Sequence, residues 1–523
     1  MAGARAAVTM KHVGLNVAAD PLMSIAYTGT PGGLVIIAAD DPGMHSSQNE
    51  QDSRHYARFA KIPILEPADS AEAKDFLKKA FEISEKYRTP VILRTETRVS
   101  HSRSMVELED RVMPEREIGF EKDPQNSVLV PAFARLRRVK VEERLKQIQA
   151  DNAALDGPAA WGVNRMEIRS SKLGIITESI AYQYVKEVFP EASILKIGSV
   201  FPFPENLVRE FAGKVEKLLV VEELEDFTET YVRAMGLECE GKSVIPNIGE
   251  LSSDVLRRAR CKMEGIPYEE PACCRSTLDT PLPNRPPTLC AGCPHRGLFY
   301  ALKKMDVTVT GDIGCYSLGV QPPLSAIDTV ICMGAGFSMA HGMTRSGQKR
   351  KVVGILGDST VFHSGITGLL NLAWNKVPAT LIVLDNRITA MTGHQDNPGT
   401  GHTLMGEPTI SADIAEIGRA CGMKNIAQFD PLNHAEALAA LKTAVESDEP
   451  WLLISRSPCV LIMKERAGAV RKIDPDKCKA CKQCLKLGCP SIELLGDKPS
   501  INPSACNGCS LCEQVCKFGA IGE

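Results

Sequence analysis

The clearest sign of chemistry in this sequence is its cysteine content, because eight of its 18 cysteines lie between positions 478 and 516. The start, MAGARAAVTMKHVG, lacks the continuous apolar core of a signal peptide. In a large chain without such a leader, dense cysteine indicates metal or cluster ligation in a reducing, oxygen-poor setting rather than disulfide bonding. The candidate ligands form two runs, Cys478, Cys481, Cys484 and Cys489, followed by Cys506, Cys509, Cys512 and Cys516.

The two runs match the pattern of a bacterial two-cluster ferredoxin, in which three thiolates of one run and the last of the other hold each [4Fe-4S] cluster. Two departures are a longer spacing before Cys489 and Lys517 in place of the usual proline, and we expect them to change a potential rather than remove a site. Paired zinc sites are the alternative, although zinc does not require three consecutive CxxC steps. The predicted cluster sets are Cys478, Cys481, Cys484 and Cys516, and Cys506, Cys509, Cys512 and Cys489.

A second candidate site follows the apolar run VVGILGDSTVF, which leads directly into Asp358. A charged residue at the end of a buried strand is costly unless it binds something. The next strand-like segment, ATLIVLDN, ends at Asn386. If the two strands are parallel neighbours, both side chains lie at the carboxyl edge of the sheet, where α/β proteins bind ligands. Carboxylate, amide and carbonyl oxygens at this edge suit a divalent cation that also binds phosphate.

This arrangement resembles the thiamine diphosphate motif, a Gly-Asp-Gly followed at a similar distance by Asn, with Ser359 in place of the final glycine. The resemblance makes Gly357, Asp358 and Ser359 cofactor-binding residues. It also makes Asp358, Asn386 and the carbonyl oxygen of Ile388 the magnesium ligands. Without the downstream Asn, Gly-Asp-Ser alone indicates only a turn followed by a helix cap.

Four further cysteines lie in LCAGCPHRG, TGDIGCYSLG and RSPCVLI. With DNRITAMTGHQ, these segments resemble the thiamine-binding region of the 2-oxoacid:ferredoxin oxidoreductases. The resemblance implies a third [4Fe-4S] cluster beside the cofactor, and the alternative is a CxxC turn with two ordinary buried cysteines. The cysteines of this third set are Cys290, Cys293, Cys315 and Cys459. The same resemblance adds to the cofactor site the loop residues Met391, Thr392, Gly393 and His394.

Motifs in the N-terminal half and the middle of the chain indicate one particular family among the 2-oxoacid:ferredoxin oxidoreductases. TMKHVGLNVAADPLM, ADDPGMHSSQNEQDSRHYARFAKIP, GIITESIAYQYVKE and LLVVEELEDF together resemble the alpha subunit of indolepyruvate:ferredoxin oxidoreductase. The resemblance implies that Arg54 contacts the substrate carboxylate, for which a bidentate guanidinium is suited; a surface arginine is the alternative. His45 and His394 lie in motifs near the expected cofactor, although ordinary hydrogen-bonded histidines explain them equally well.

The resemblance implies thiamine-dependent oxidative decarboxylation of an arylpyruvate such as indolepyruvate, with the acyl group passed to coenzyme A and electrons passed through the clusters to ferredoxin. It also implies a smaller beta subunit and a hetero-oligomer. Two alternatives are a non-oxidative thiamine 2-oxoacid decarboxylase with an unrelated ferredoxin tail, and a catalytically impaired electron-transfer subunit. Release of aldehyde without ferredoxin reduction distinguishes the first, and absence of turnover despite intact clusters distinguishes the second.

The family's usual N-terminal segment carries a glutamate that hydrogen-bonds the thiamine aminopyrimidine, and no residue here corresponds to it. Glu50 belongs to a different motif and is a poor substitute. Losing a general acid–base group typically costs about 10²–10⁴-fold in rate. We therefore expect the chain to be a shortened reading of a longer protein, rather than a natural, catalytically impaired subunit.

Alternating strand-like and helical segments predict an α/β fold with mainly parallel sheets and a C-terminal ferredoxin-like domain. The charged segment around 139–158 fits either a linker or a solvated surface helix. The net charge of −3 gives no electrostatic signal for nucleic acid, and no apolar run approaches the roughly 18 residues of a membrane span, which predicts a cytoplasmic protein. The expected organisation is a truncated pyrimidine-type thiamine domain (1–125), a linker (126–166), a transketolase C-terminal-like domain (167–270), a linker (271–287), a diphosphate-binding thiamine domain (288–471) and a two-cluster domain (472–523).

Overall fold

A computed structural model describes residues 1–112, 119–270, 282–283 and 285–523. The chain forms two compact units, which span residues 1–277 and 278–523. Most of the predicted connector 271–287, including the adjacent cysteines Cys273 and Cys274, to which the sequence assigns no role, lies outside the described residues. Within the described ranges, no helix combines the length and the apolar character needed to cross a membrane.

The first unit begins with a parallel sheet in the order β1-β2-β4-β3. Its central strand, LVIIAA, is rich in β-branched and apolar residues, as expected for a strand covered on both faces. The unit also contains the amphipathic helix α4 (Ser70–Tyr87), where the Asp69 side chain caps the helix by accepting from the Glu72 N–H at 2.9 Å. The strands are β1 (Ala6–Lys11), β2 (Leu34–Ala39), β3 (Ile64–Leu65) and β4 (Val91–Thr95).

A second sheet of the same unit runs in the order β5-β7-β6-β8, with β5 antiparallel to β7 and the other pairs parallel. Its carboxyl edge carries Glu178 directly after β6 and Glu222 directly after β8, and both side chains are buried. Both glutamates form ion pairs with Arg54. The strands are β5 (Arg165–Glu167), β6 (Leu173–Thr177), β7 (Ser193–Lys196) and β8 (Lys217–Val221).

The charged segment that fitted either a linker or a surface helix is helical over residues 139–152, as part of α7 (Pro131–Asn152), and residues 153–158 lie beyond the end of that helix. Most of α7 faces solvent, and Val141, Ile148 and Asn152 are its buried side chains. The helices of the first unit are α1 (His12–Val17), α2 (Ala19–Thr28), α3 (Arg54–Ala60), α4 (Ser70–Tyr87), α5 (Thr97–His101), α6 (Pro124–Ser127), α7 (Pro131–Asn152), α8 (Ala181–Val188), α9 (Glu205–Ala212), α10 (Phe227–Ala234) and α11 (Ser253–Glu264).

The second unit is built on a parallel five-stranded sheet in the order β12-β13-β11-β10-β9. Strands β10 and β11 are almost wholly buried, which matches their continuous apolar sequences. The parallel α/β prediction is therefore confirmed in both units. The strands are β9 (Val307–Thr310), β10 (Lys351–Gly357), β11 (Thr380–Asp385), β12 (Asn425–Phe429) and β13 (Trp451–Arg456).

The cysteine-rich tail follows this sheet in the same unit and contains two short antiparallel pairs, β14 with β17 and β15 with β16. These strands are β14 (Lys472–Ile473), β15 (Ile492–Leu495), β16 (Lys498–Ile501) and β17 (Ile521–Gly522). The helices of the second unit are α12 (His295–Leu302), α13 (Ala335–Arg345), α14 (Asp358–Thr360), α15 (Ile366–Trp374), α16 (Ile414–Ala420), α17 (His434–Glu446) and α18 (Leu511–Gln514). A π-helical turn (Val361–Gly365) joins α14 to α15, and 3₁₀ turns span Cys315–Val320 and Cys484–Leu487.

Candidate functional site

Asp358 and Asn386 lie at the same edge of the sheet of the second unit. Strand β10 ends at Gly357, which is paired in register with Leu384 of the parallel neighbour β11. Asp358 and Asn386 therefore follow the carboxyl ends of adjacent strands, as the sequence predicts, and both are buried. This edge is the ligand-binding position of an α/β sheet.

The Asp358 carboxylate is only partly satisfied by the protein around it. One oxygen accepts from the Ser359 N–H at 2.8 Å and the other accepts from the Asn397 side-chain amide at 3.3 Å. Burial raises the pKa of Asp358 to about 7, and the neighbouring Asp385 adds to the shift. Among the described residues Asp358 has no cationic partner, and a buried acid of this kind is suited to hold a metal ion, so the residues fit a magnesium-bound diphosphate.

The turn before Asp358 requires glycine because a tyrosine lies beneath it. Tyr316 is buried, donates to Asp312 at 2.7 Å and accepts from the Gly357 N–H at 3.0 Å. A β-carbon at Gly357 would lie 2.6 Å from the Tyr316 hydroxyl. The tyrosine thus fixes the backbone from which Asp358 projects.

The other predicted cofactor residues divide into two groups. Ile388 is buried beside Asn386, whose side-chain oxygen accepts from the Ile388 N–H at 3.3 Å. The loop beyond it is closed by paired hydrogen bonds between Thr389 and Gln395 at 3.0 and 3.3 Å. Its predicted cofactor contacts are solvent-exposed in this structure, and they are Met391, Thr392, Gly393 and His394.

Asn397 is a site residue that the sequence reasoning missed. It is buried, and its amide is the side-chain donor to Asp358. Its own carbonyl oxygen accepts from the Gly399 N–H at 2.9 Å, which closes a turn. The local signal is the Asn-Pro-Gly segment, a common turn sequence, but a turn motif does not reveal that the amide faces a strand end.

The third predicted cysteine set gathers near this edge. The thiols of Cys290, Cys293, Cys315 and Cys459 are close enough to perturb one another electrostatically. Burial raises the pKa of Cys293 to about 12, with Cys290 and Cys459 adding to the shift. The Cys459 N–H donates to the Asn386 carbonyl oxygen at 3.0 Å, and Asp358 acts on the Cys459 thiol as well. The set therefore adjoins the candidate diphosphate site.

Each of the two tail sets lines a cavity of its own. In both cavities the fourth thiol comes from the other cysteine run. That each set binds one cluster stays a prediction. Burial raises the pKa of Cys512 to about 12, so a thiolate in this cavity needs positive charge nearby, such as iron. The first cavity is lined by Cys478, Cys481, Cys484 and Cys516, and the second by Cys489, Cys506, Cys509 and Cys512.

In the residues that the structure describes, no group of three or more His, Cys, Asp or Glu side chains is arranged to hold a metal ion. A [4Fe-4S] cluster has a different requirement, because each thiolate binds a separate iron and the four sulfurs surround a space. The two cavities of the tail have this form, with thiols around their walls.

Arg54 lies in a buried ionic network of the first unit, and its side chain has no exposed surface. Its guanidinium donates to Asp52 at 2.5–3.0 Å, to Glu178 at 2.7 Å and to Glu222 at 2.5 Å. It also donates to the carbonyl oxygens of Glu223 and Glu225 at 2.9 and 3.0 Å. A substrate carboxylate could reach Arg54 only if one of these acceptors moved away, so its predicted role in substrate binding stays a prediction.

A second buried arginine, Arg94, extends the network. It donates to Asp40 at 2.5 Å, and to Glu66 and Glu96 at 2.9 Å each. Burial raises the pKa of Glu66 to about 7, against the opposing effect of Arg94. Two guanidinium groups here face a larger number of buried carboxylates, namely Asp40, Asp52, Glu66, Glu96, Glu178 and Glu222.

The remaining candidates of the first unit have local partners. His45 is exposed and lies 2.9 Å from Glu250. Glu50 accepts from the Gly43 N–H at 2.5 Å and from the Gly249 N–H at 3.0 Å. Glu50 therefore connects two turns of the backbone.

Three protein-family models match parts of this chain. Residues 1–184 match the thiamine diphosphate-binding domain of pyruvate flavodoxin/ferredoxin oxidoreductase. Residues 312–455 match the C-terminal binding domain of thiamine pyrophosphate enzymes, and residues 499–522 match a 4Fe-4S binding domain.

Three curated relatives carry the same name, indolepyruvate oxidoreductase subunit IorA. The relative from Methanothermobacter thermautotrophicus is 40% identical over 99% of this chain and 86% of its own length. The relative from Archaeoglobus fulgidus is 38% identical over 100% of this chain and 86% of its own length. The relative from Pyrococcus horikoshii is 39% identical over 99% of this chain and 86% of its own length.

The fold and these matches define a thiamine diphosphate-dependent oxidoreductase that carries iron–sulfur clusters, of the class that decarboxylates 2-oxoacids oxidatively with ferredoxin. Within that class, the chain belongs to the family of indolepyruvate oxidoreductase subunit IorA. The family predicted from the sequence is thereby confirmed.

Proposed function

We propose that this chain is the larger subunit of an enzyme that converts an arylpyruvate, such as indolepyruvate, and coenzyme A into the corresponding acyl-CoA. The bond between the carboxylate and the keto carbon breaks to release CO₂, and a bond forms between that carbon and the coenzyme A sulfur. The thiol proton is released, and two electrons pass singly to two ferredoxin molecules. The names of the relatives support the choice of substrate, and a smaller subunit completes the proposed hetero-oligomer.

The observation that carries this proposal is the contact between the third cysteine set and the candidate diphosphate site. The Cys459 N–H donates to the Asn386 carbonyl oxygen at 3.0 Å, so a cluster ligand and a magnesium ligand share a backbone hydrogen bond. An electron acceptor held by these thiols would adjoin the reacting centre. A non-oxidative decarboxylase has no need for such an acceptor at this position, so the contact favours the oxidative reaction.

The proposed roles follow from the contacts. Asp358, Asn386 and the Ile388 carbonyl oxygen would hold Mg²⁺ and through it the diphosphate, while Asn397 orients Asp358. When bound, thiamine diphosphate supplies the electron sink that makes decarboxylation feasible. The three cysteine sets would each hold a [4Fe-4S] cluster, and the buried strand ends keep bulk water from the charged groups.

An anaerobic assay of the chain together with its smaller subunit tests the proposal. Indolepyruvate, phenylpyruvate, pyruvate and 2-oxoglutarate are each supplied with coenzyme A and oxidised ferredoxin, and acyl-CoA and reduced ferredoxin are measured. We expect the highest kcat/KM with the arylpyruvates and two reduced ferredoxins for each acyl-CoA. Aldehyde formation without ferredoxin reduction contradicts the oxidative reaction. Absence of turnover with every cluster present, both in this chain and in a version extended at its N-terminus to include the family glutamate, identifies an electron-transfer subunit.

Cys459→Ser tests whether the cysteine set beside the candidate diphosphate site carries electrons. Cys421→Ser is the matched control, because Cys421 belongs to none of the three sets. We expect the first substitution to abolish ferredoxin reduction while thiamine diphosphate still binds. The control variant should keep both properties. Unchanged ferredoxin reduction in Cys459→Ser would overturn the proposed path.

A further inference from the structure

Arg296 is a buried cation that the proposed reaction does not use. It lies at the second residue of α12, just after the CxxC that contains Cys290 and Cys293, and 3% of its surface is exposed. It lines the cavity of the second tail set, together with Cys293, Cys489 and Cys509. The guanidinium is therefore placed between that tail set and the third cysteine set.

The hydrogen bonds of Arg296 connect the backbones of both sets. Nη2 donates to the carbonyl oxygens of Leu289 and Cys290 at 2.6 and 3.1 Å. Nη1 donates to the carbonyl oxygen of Leu487 at 2.7 Å, two residues before Cys489. The intervening Gly488 has φ +64°, and a β-carbon there would lie 3.3 Å from Nη1. The tail backbone thus turns closely around the guanidinium.

Within the described residues, Arg296 makes its hydrogen bonds to neutral carbonyl groups and has no carboxylate partner, and its Nε is buried without an acceptor. Arg471 lines the same cavity but forms ion pairs with Glu513 at 2.9 Å and Glu523 at 3.2 Å. A buried charge is costly unless an opposite charge lies nearby. The arrangement around Arg296 therefore calls for an anion that the protein itself does not supply.

A cluster with four thiolates is such an anion, and it becomes more negative when it is reduced. Arg296 lines the same cavity as Cys293 of the third set and Cys509 of the second tail set, so it lies close to thiols of both sets. A nearby cation stabilises the reduced cluster more than the oxidised one, since the reduced cluster carries the additional electron. The reduction potential of that cluster rises as a result.

We propose that Arg296 is the electrostatic partner of the cluster held by Cys489, Cys506, Cys509 and Cys512, and that it raises that cluster's reduction potential. This makes the second tail cluster a favourable acceptor for electrons leaving the third cysteine set. Arg296 is a positioning and tuning residue, which touches no substrate. The inference rests on the proposed function in that it takes the three cysteine sets to hold [4Fe-4S] clusters.

The test compares three variants of the full chain, Arg296→Met, Arg296→Lys and Arg471→Met, after anaerobic reconstitution with iron and sulfide. Methionine keeps much of the side-chain length and removes the charge, while lysine keeps the charge. Potentials are measured by redox titration followed by electron paramagnetic resonance, and iron is counted for each chain. Cluster content of the unsubstituted chain is established first, so that failure of the proposed function is distinguishable from failure of this inference.

We expect Arg296→Met to lower the equilibrium constant for reduction of one cluster at least tenfold, which corresponds to a fall of about 59 mV in the potential of a one-electron couple. Arg296→Lys and Arg471→Met should stay within threefold of the unsubstituted chain. A fully loaded Arg296→Met with an unchanged potential would overturn the inference. If Arg296→Met does not retain its clusters, the lysine variant decides: retained clusters support the requirement for charge, and lost clusters show that the arginine acts by shape.

Discussion

The two units of this chain differ in how particular buried charges are paired. In the first unit, Arg54 and Arg94 each form ion pairs with several carboxylates, although Nη2 of Arg94 has no hydrogen-bond partner among the described residues. In the second unit, Asp358 has no cation beside it and Arg296 has no anion among the described residues. Charges that the protein satisfies form a framework, whereas charges that it leaves unpaired mark the places where cofactors supply the partner.

The largest expected effect comes from the cysteines that cross between the two runs of the tail. Cys516→Ser should remove the same cluster as Cys478→Ser, and Cys489→Ser should remove the same cluster as Cys509→Ser, because each pair lines one cavity. Each substitution should lower the iron content by about four atoms per chain. Iron analysis and paramagnetic resonance spectra of the four variants measure this, and matching spectra within either sequence run contradict the crosswise grouping.

Arg54→Met should destabilise the first unit by about 3–5 kcal/mol, because it leaves buried carboxylates without their cation. Arg58→Met is the matched control, since Arg58 lies on the same helix but is exposed, and its change should stay within about 0.5 kcal/mol. Chemical denaturation of both variants measures the free energy of unfolding. Equal stability of the two variants would show that the network contributes little.

Asp358→Asn should have the opposite sign in the protein without cofactors. Burial raises the pKa of Asp358 to about 7, so its ionised form is disfavoured and its removal should stabilise the fold by about 0.5–2 kcal/mol above that pH. The same change should abolish saturable binding of thiamine diphosphate with Mg²⁺. Thermal unfolding with and without the cofactor measures both effects. If Asp358→Asn destabilises the protein without cofactor, the Asp358 carboxylate is not an unpaired charge that a bound metal ion would compensate.

Asn397→Ala should weaken cofactor binding about 10–100-fold, as expected for a residue that orients a metal ligand. The cause is the loss of the amide that donates to Asp358 at 3.3 Å. Calorimetric titration with thiamine diphosphate and Mg²⁺ gives the affinity. Asn433→Ala provides a control, because Asn433 is the cap of α17 and contacts none of the candidate ligands. Equal affinities in the two variants would remove Asn397 from the site.

A further expected effect is a pH dependence in the first unit. The pKa of Glu66 is raised to about 7 by burial, so the folded state binds a proton that the unfolded state has released above a pH of about 4.5. Stability should therefore fall as the pH rises from about 4.5 to about 7. Glu66→Gln should flatten this part of the profile, and a profile identical to that of the unsubstituted chain would assign the titration to another group.

Much of the fold was predictable because β2, β10 and β11 are apolar runs with little ambiguity, and α4 has a clear amphipathic pattern and cap. The cysteine spacing also led to sets that line separate cavities. These features depend on local pattern, which a sequence displays directly.

The unpredicted features are tertiary. An arginine on a short helix gives no sign that it will be buried among acids from a second sheet, as Arg54 is. The amide of Asn397 and the guanidinium of Arg296 likewise acquire their partners only when distant segments pack together. The exposure of residues 391–394 also depends on how the loop closes, which its composition does not specify.

The exchange of one cysteine between the two runs has a consequence for how the tail matures. Cys516 lines the cavity of the first run, and Cys489 lines the cavity of the second run. If each cavity holds a cluster, as proposed above, neither run supplies all four thiolates of a cluster by itself. Assembly of one cluster would then depend on the folding of both runs, and loss of one cluster would leave unligated thiols in both.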